Sequence, residues 1–406
     1  NQDIDLDQVI GQAASFALRS SASSPEWHGV VVEMELLRVE SAGLATYRVL
    51  IQPRAWLLTQ RKNYRIFQFK SELAIVQQLL GEWGIVHEAR VDGGQHLGRK
   101  FRVQYGESDF AFLSRMLEDA GISFYFEQEG GASKLVLDDA PETRPLGFPL
   151  LRFHDEPRVT EGRFVTKVAV RSRVRPGAMR MSDIDYRRQS ERQPYAFSER
   201  GLPQEGRLEQ YQHEPGAFLY TGSSGGSTPA ADDRGSARTN DAAGDRKVKN
   251  RLAGKRQDAK VVSFESDVLE LSPGRILSVA DHPHRTLAPS AGLLVAASEL
   301  RGEHAGQWRV QVEGVPTSAP FRPTQLTPKP IVYGIESATV VGPGGEEIHT
   351  DEFGRVRVHF HWDRESARNE TSSCWLPSNQ PWAGNSFGAV NLPRVGQEVL
   401  VEFLGG

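Results

Sequence analysis

The chain has 406 residues, with 48 Lys and Arg against 52 Asp and Glu and a formal net charge of -4. Such a length supports roughly two to four domains with cores of their own, and the near-neutral balance argues against a dominant nucleic-acid surface, which needs concentrated Lys and Arg. A single cysteine, Cys374, excludes an intrachain disulfide, and no apolar run approaches the roughly 18 to 20 residues of a membrane span.

Residues 1–63 read mostly as strands. His28 to Val39 and Leu44 to Leu58 are rich in the β-formers Val, Tyr, Ile and Trp, and Ser41-Ala42-Gly43 joins them as antiparallel barrel strands. Two similar units follow. In the first, Tyr64 to Phe69 is a strand and Ser71 a helix cap. Leu73, Val76, Gln77 and Leu80 fall at helical spacing before Gly81, and Gly84 to Glu88 returns as a strand. The second runs from strand Lys100 to Tyr105, through cap Ser108 and the helical stripe Phe110, Leu113, Leu117 and Ala120. Gly121 ends that helix, and Ile122 to Glu127 is the returning strand. Helical and two-residue spacings assign Phe110, Phe112, Phe124 and Phe126 to core rather than to a ligand groove. Glu118 and Asp119 are adjacent on a helix and so point in different directions, which argues against a paired-carboxylate site.

Further strands are expected at Lys134 to Asp138, Leu150 to Phe153 and Arg163 to Arg173, so residues 151–222 are expected to build a second β-barrel. Gly222 to Asp245 is the least structured stretch by composition. Gly222-Ser223-Ser224-Gly225-Gly226 has the spacing of a hydrolase nucleophile elbow, but the sequence after it lacks the strand-to-helix context that would activate Ser224, and an exposed loop is expected. Asp233 to Gln257 reads as a polar helix whose basic run, Arg246 to Arg251 with Lys255 and Arg256, is expected to be a solvated or assembly-facing surface. β character resumes at Ala259 to Phe264, Leu271 to Val279, Leu293 to Glu299 and Gln307 to Val315. Pro316, Pro320, Pro323, Pro328 and Pro330 then break regular structure before the last unit.

Residues 331–406 carry the strongest pattern. Val356, Val358 and Phe360 alternate with Arg355, Arg357 and His359, which predicts a strand with one dry and one wet face, fed by a turn at Gly354. Val399, Val401 and Phe403 alternate in the same way with Glu398, Leu400 and Glu402. Short strands between Gly- and Pro-containing turns indicate a small barrel. His359 and His361 share a strand face, with His349, Asp351 and Cys374 as imaginable further ligands, but the paired spacings of a metal site are absent. Cys374 is expected to pack in or near this barrel.

Asp351-Glu352-Phe353-Gly354-Arg355-Val356-Arg357-Val358-His359-Phe360-His361-Trp362-Asp363-Arg364, then Ser373-Cys374-Trp375, Gln380-Pro381-Trp382-Ala383-Gly384 and Leu392-Pro393-Arg394-Val395-Gly396-Gln397-Glu398-Val399, resemble the signature of the VgrG family of bacterial type VI secretion spikes at its OB-fold domain. Phe353 stands where that pattern usually has Tyr, and His359 where it has Gln. The matching signature positions are Asp351, Gly354, Arg355, Phe360, Trp362, Trp375, Trp382, Gly384, Pro393, Arg394, Gly396 and Glu398, for which a structural role is implied.

The resemblance implies a mostly β protein with minor α/β content. Residues 1–63 and 131–330 would be phage-hub-like β-barrel base domains, 64–130 an inserted α/β portion and 331–406 an OB-fold neck. A β-helical needle normally follows and is absent from this sequence, and Asn1 and the Gly405-Gly406 end are read as truncation points. The resemblance further implies a homotrimer, trimerising more weakly without its needle. Its implied partners are the hexameric tube protein, baseplate proteins, a conical tip protein and effectors, with no nucleic acid and no cofactor. Such a spike sits in the bacterial cytoplasm when assembled, and after contraction is secreted or delivered through the target envelope without a transmembrane segment. No catalytic residue is assigned. The competing expectations are an OB-fold carbohydrate- or nucleic-acid-binding protein and a serine hydrolase using Ser224.

Overall fold

The computed structural model describes residues 4–19, 24–148, 150–156, 163–185, 188, 190–220, 239–304, 306–351, 353–384 and 387–403. After a one-turn helix α1 (Leu6–Val9), strands β1 (Ala13–Ala17), β2 (Glu26–Val39) and β3 (Ala45–Gln52) form an antiparallel sheet in the order β1-β2-β3. Gly43, at φ 83°, supplies the left-handed residue of the expected turn between β2 and β3. The strand expected to run on to Leu58 stops at Gln52. Pro53 cannot extend a ladder, and Arg54–Thr59 instead winds a 3₁₀ turn that buries Ala55 and Leu58.

Both expected strand–helix units are present. Strand β4 (Lys62–Lys70) leads to α2 (Glu72–Glu82), and after β5 (His87–Arg90), β6 (Arg99–Ser108) leads to α3 (Asp109–Ala120). Ser71 Oγ accepts the Ala74 N–H at 3.1 Å and Ser108 Oγ the Ala111 N–H at 3.1 Å, so each helix begins where its hydroxyl satisfies an orphan donor. Helix α2 runs on past Gly81 to Glu82, whereas Gly121, at φ 74°, ends α3. Strands β4 and β6 pair antiparallel, while β7 (Ser123–Glu129) and β8 (Ala132–Asp138) join β5 in the order β5-β8-β7. The helices bury Ile75, Val76, Leu79, Leu80, Phe112, Leu113, Met116 and Leu117 between these two sheets, with Phe110, Phe124 and Phe126 packed at the margin.

The largest sheet has seven strands: β9 (Leu151–Phe153), β10 (Phe164–Ser172), β14 (Lys260–Ser266), β15 (Ile276–Leu277), β16 (Val279–Ala280), β17 (Leu293–Arg301) and β18 (Arg309–Pro316). Its order is β15-β17-β18-β14-β10-β9-β16. The two edge strands are separated in the chain by Ser278 alone, so the sheet curls until its edges meet as a nearly closed barrel around Leu151, Val165, Phe264, Leu277, Val279 and Val312. Strands β11 (Ala178–Ser182), β12 (Tyr195–Glu199) and β13 (Glu209–His213) do not add to it as the sequence suggested. They form their own sheet, β12-β11-β13, because Met179, Met181 and Ala196 find an apolar cover in Phe218, Val248 and Leu252, the last two on helix α4 (Asp241–Lys255). The loop expected around Ser224, where the spacing of a nucleophile elbow occurs, lies outside the described residues.

No regular element occupies residues 317–334, as their prolines dictate. The last unit has the sheet β20-β19-β23, from β19 (Ile335–Val341), β20 (Arg357–Phe360) and β23 (Glu398–Glu402), together with the short ribbon β21 (Ala383–Gly384) and β22 (Phe387–Gly388). Its core is Ala338, Val340, Val356, Val358, Phe360 and Val401. The wet face expected for β20 is not wet: Arg355, Arg357 and His359 are buried along with their apolar neighbours. The segment around Ser373 lies over them, and its Oγ accepts the Val358 N–H at 2.9 Å while its carbonyl takes an Arg357 N–H at 3.0 Å. The chain is mostly β, with four α-helices among the described residues.

Candidate functional site

The OB-like unit is docked onto the α/β unit along one face of β4 and β6. Alternation on β4 sends Phe67 toward the helices, where it stacks on Phe112, and leaves Tyr64 and Ile66 on the opposite face. Trp362, just past β20, closes that face. Its ring lies 5.9 Å from Tyr64 and 5.7 Å from Tyr105, edge-on to the latter, and stacks on Phe360 at 4.9 Å. Ile66 packs into the OB core itself.

Polar contacts ring this apolar centre. Arg65 Nε donates to Glu365 at 2.8 Å and Asn63 Nδ2 to the same carboxylate at 3.2 Å. Tyr105 donates its hydroxyl to Glu336 at 2.6 Å, and Gln68 Nε2 donates to the Thr371 carbonyl at 2.7 Å. The hydrogen bond to Glu336 and burial push the Tyr105 hydroxyl up to about 12. Arg65 also grips Glu82 of α2 through both terminal nitrogens, at 2.7 and 2.9 Å. Burial alone would raise the Glu82 carboxyl, but hydrogen bonds from Arg65, Gln78 and Arg61 reverse that and hold it down at about 2.

A second polar assembly pins α4. Asp119, near the end of α3, receives Lys247 at 2.7 Å, Arg102 at 2.9 Å and Arg251 at 3.2 Å. Glu72 receives Arg99 at 2.6 Å and Arg102 at 2.8 Å, and Glu214 receives Arg251 at 2.5 Å. Within the basic run, Lys247 and Arg251 are therefore interior ion-pair partners, contrary to the solvated or assembly-facing surface expected of them. The physical reason is that, one turn apart on α4, they face Asp119, brought from α3, and Glu214, from the segment just after β13, both remote in sequence. Burial works to raise Asp119, and Lys247 with the three arginines more than reverses it, holding this carboxylate well below its usual range. Burial draws Lys247 down to about 8. Glu118, as expected, turns away: it accepts the N–H groups of Leu326 and Thr327 at 3.1 and 3.0 Å and so fastens the proline-rich connection.

The signature residues do not converge on one point. Asp351 accepts the N–H of Phe353 at 3.0 Å and of Arg355 at 2.9 Å, and its carboxylate also holds Arg355 Nε at 2.6 Å. Gly354 completes that turn at φ 69°. Phe360 and Trp362 form the joint described above. Trp375 is buried under the Arg357 guanidinium, 4.8 Å from its ring centroid. Gly384 lies where a Cβ would strike the Phe387 ring at 2.2 Å, beside an exposed Trp382. Pro393 and Arg394 precede Gly396, whose φ of 88° suits only glycine well, and Arg394 pairs with Glu347. Glu398 is exposed on the outer face. Cys374 is half-buried. Among the described residues no group of three His, Cys, Asp or Glu is gathered as metal ligands would be.

The sequence reading missed Asn63, Arg65, Tyr105, Glu336 and Glu365, which join the units. One signal was present: β4 carries apolar residues on both parities, Tyr64 and Ile66 against Phe67 and Phe69, as a strand covered on both faces does.

The family model described as phage tail baseplate hub (GPD) matches residues 1–305, and that of the type VI secretion system/phage-baseplate injector OB domain matches residues 346–406. The type VI secretion system spike protein VgrG1c of Pseudomonas aeruginosa is 30% identical over 430 residues, covering 100% of this chain and 54% of the relative. VgrG1a of the same organism is 30% identical over 436 residues, covering 100% of the chain and 62% of the relative. The chain thus spans little more than half the length of these curated relatives. In fold it is similar to the E. coli c3393 protein, described as a type VI secretion component resembling the T4 bacteriophage tail proteins gp27 and gp5. That likeness has a TM-score of 0.65 at 18% identity and covers 100% of this chain and 86% of that one. This chain belongs to the phage tail baseplate hub (GPD) family and carries the injector OB domain after the hub, in agreement with the VgrG resemblance of its signature segments.

Proposed function

We propose that this chain is the base and neck of a homotrimeric spike of a type VI secretion contractile machine, acting mechanically and not as an enzyme. Residues 1–63 and 131–330 form the hub-like base, 64–130 its α/β portion and 331–406 the neck. The signature residues from Asp351 to Glu398 hold the neck in shape: Asp351, Gly354 and Arg355 fix a turn, while Phe360, Trp362 and Trp375 lock strands to neighbours. The hexameric tube protein, baseplate proteins, a conical tip protein and effectors are the partners. The spike sits in the bacterial cytoplasm while assembled, and leaves it through the target envelope on contraction.

One observation carries this reading. The far half of the β2–β3 ribbon projects with both faces bare, and Leu36, Leu37, Val39, Leu44, Val49 and Leu50 along it are all exposed. A two-stranded ribbon of this kind is marginal in water by itself, and a contiguous apolar surface of this sort marks an assembly contact. Further copies of the chain are the cover that a hub requires. The test is the mass of the purified chain in solution together with the symmetry of its particle images. A threefold particle with the OB units gathered on the axis is expected, and a monomer at every concentration tested overturns the reading.

A further inference from the structure

A cleft of about 480 Å³ opens on the outer face of the OB sheet, and its walls include Thr339, Gly342, His359, His361, Arg368 and Gly396. Register explains how these residues meet. Thr339 on the central strand lies opposite His359 of β20 on one side and Glu398 of β23 on the other, and His361 follows His359 by two residues. The two imidazole centroids are 6.2 Å apart at 89°. Arg368 reaches the cleft from the loop beyond, where its backbone N–H rests on Ser366 Oγ at 3.1 Å.

Two features point to a ligand. His359 is only 8% exposed, yet its Nδ1 has no hydrogen-bond partner. A polar nitrogen buried in that way calls for water or a bound group to satisfy it. Among the described residues, the wall of the cleft holds one guanidinium and two imidazoles and no acidic side chain. We propose that this cleft binds a small tetrahedral oxyanion of the phosphate class, with the Arg368 guanidinium as a forked donor and the two imidazoles completing the shell.

A cation fits poorly here. Arg368 would repel it, and Glu398, the carboxylate paired with His361, stands 4.0 Å from His361 Nε2 outside the lining. The groups acting on His359 are Arg368, Asp363 and His361. Burial, then Arg368, presses its imidazole below the ordinary value, with His361 adding to this and Asp363 opposing it. A bound dianion between Arg368 and His359 reverses that pressure, so binding and protonation favour each other.

The test is calorimetric titration of the purified chain with inorganic phosphate at pH 6 and pH 8, with the His359 ring resonances followed by NMR. Saturable binding with a Kd on the order of 1 mM, tighter at pH 6, is expected, and Arg368→Gln weakens it about tenfold. Because Arg368 is exposed, that variant keeps the fold; the buried His359→Gln serves as a second variant, checked for folding by its thermal transition. Glycerol phosphate binding more tightly than phosphate identifies an ester as the ligand, and the reverse order identifies the free anion. Absence of saturable binding at pH 6, or equal affinity in Arg368→Gln, overturns the proposal. So does saturable binding of Zn²⁺ alone that needs both histidines and ignores Arg368→Gln.

Discussion

Arg65 and Glu365, 300 positions apart in the chain, meet at 2.8 Å, and the same guanidinium holds Glu82 on the first long helix. One side chain therefore ties the helix of the α/β unit to the loop that follows the OB strand. Trp362, three residues before Glu365, packs on Tyr64, next to Arg65 in the chain, so the charged bridge and the aromatic wedge fasten the same two units.

Trp362→Ala should release that joint. Removing the ring empties the space between Phe360, Tyr64 and Tyr105 and should cost about 3 kcal/mol in urea denaturation. Cleavage by a nonspecific protease within 317–334 should accelerate, because the connection loses the two bodies that constrain it. Glu365→Gln, at a carboxylate half open to solvent, should cost no more than about 1 kcal/mol. Equal losses in the two variants would contradict an apolar wedge as the main fastening.

Acid should loosen the same region. The folded Glu82 carboxyl titrates at about 2 against 4.5 ordinarily, so the folded state holds the proton less tightly than the unfolded chain. That stability is fully present above pH 4.5 and is lost as the pH falls toward 2. Allowing for screening at a partly exposed group, the contribution is about 1–2 kcal/mol. Glu82→Gln should flatten the corresponding part of the stability–pH curve, measured by denaturant titrations across that range.

The cluster around Asp119 should respond asymmetrically. Asp119→Ala leaves Lys247 and Arg251 buried with Glu214 as their remaining carboxylate and should cost about 3–5 kcal/mol. Lys247→Met leaves Asp119 still paired with Arg102 and Arg251 while removing the cation that burial disfavours, so it should change stability by less than about 1 kcal/mol. Comparing the two denaturation midpoints decides the matter, and a larger loss in Lys247→Met would show that the lysine, not the carboxylate, is the hub of the cluster.

Leu37→Lys should separate assembly from folding. Leu37 is 54% exposed on the ribbon, so the isolated chain should keep its unfolding midpoint within about 0.5 kcal/mol. Sedimentation should show the oligomer weakened or lost, and an unchanged oligomer would place the contact elsewhere.

What the sequence determined by itself was local: the serine caps of both long helices, the Gly121 stop, the divergence of Glu118 from Asp119, the irregular proline connection and the outward Glu398 and Glu402 of the last strand. Each follows from spacing or backbone preference within a few residues. What only the tertiary structure decided was which polar residues are interior. Arg357 and His359 alternate as a wet face should, yet a segment some fifteen residues on covers them; Lys247 and Arg251 look like a solvated run until one carboxylate from another helix and one from the end of a strand arrive. Periodicity records which side of an element a residue takes, and what lies on that side is set by chain that returns from far away.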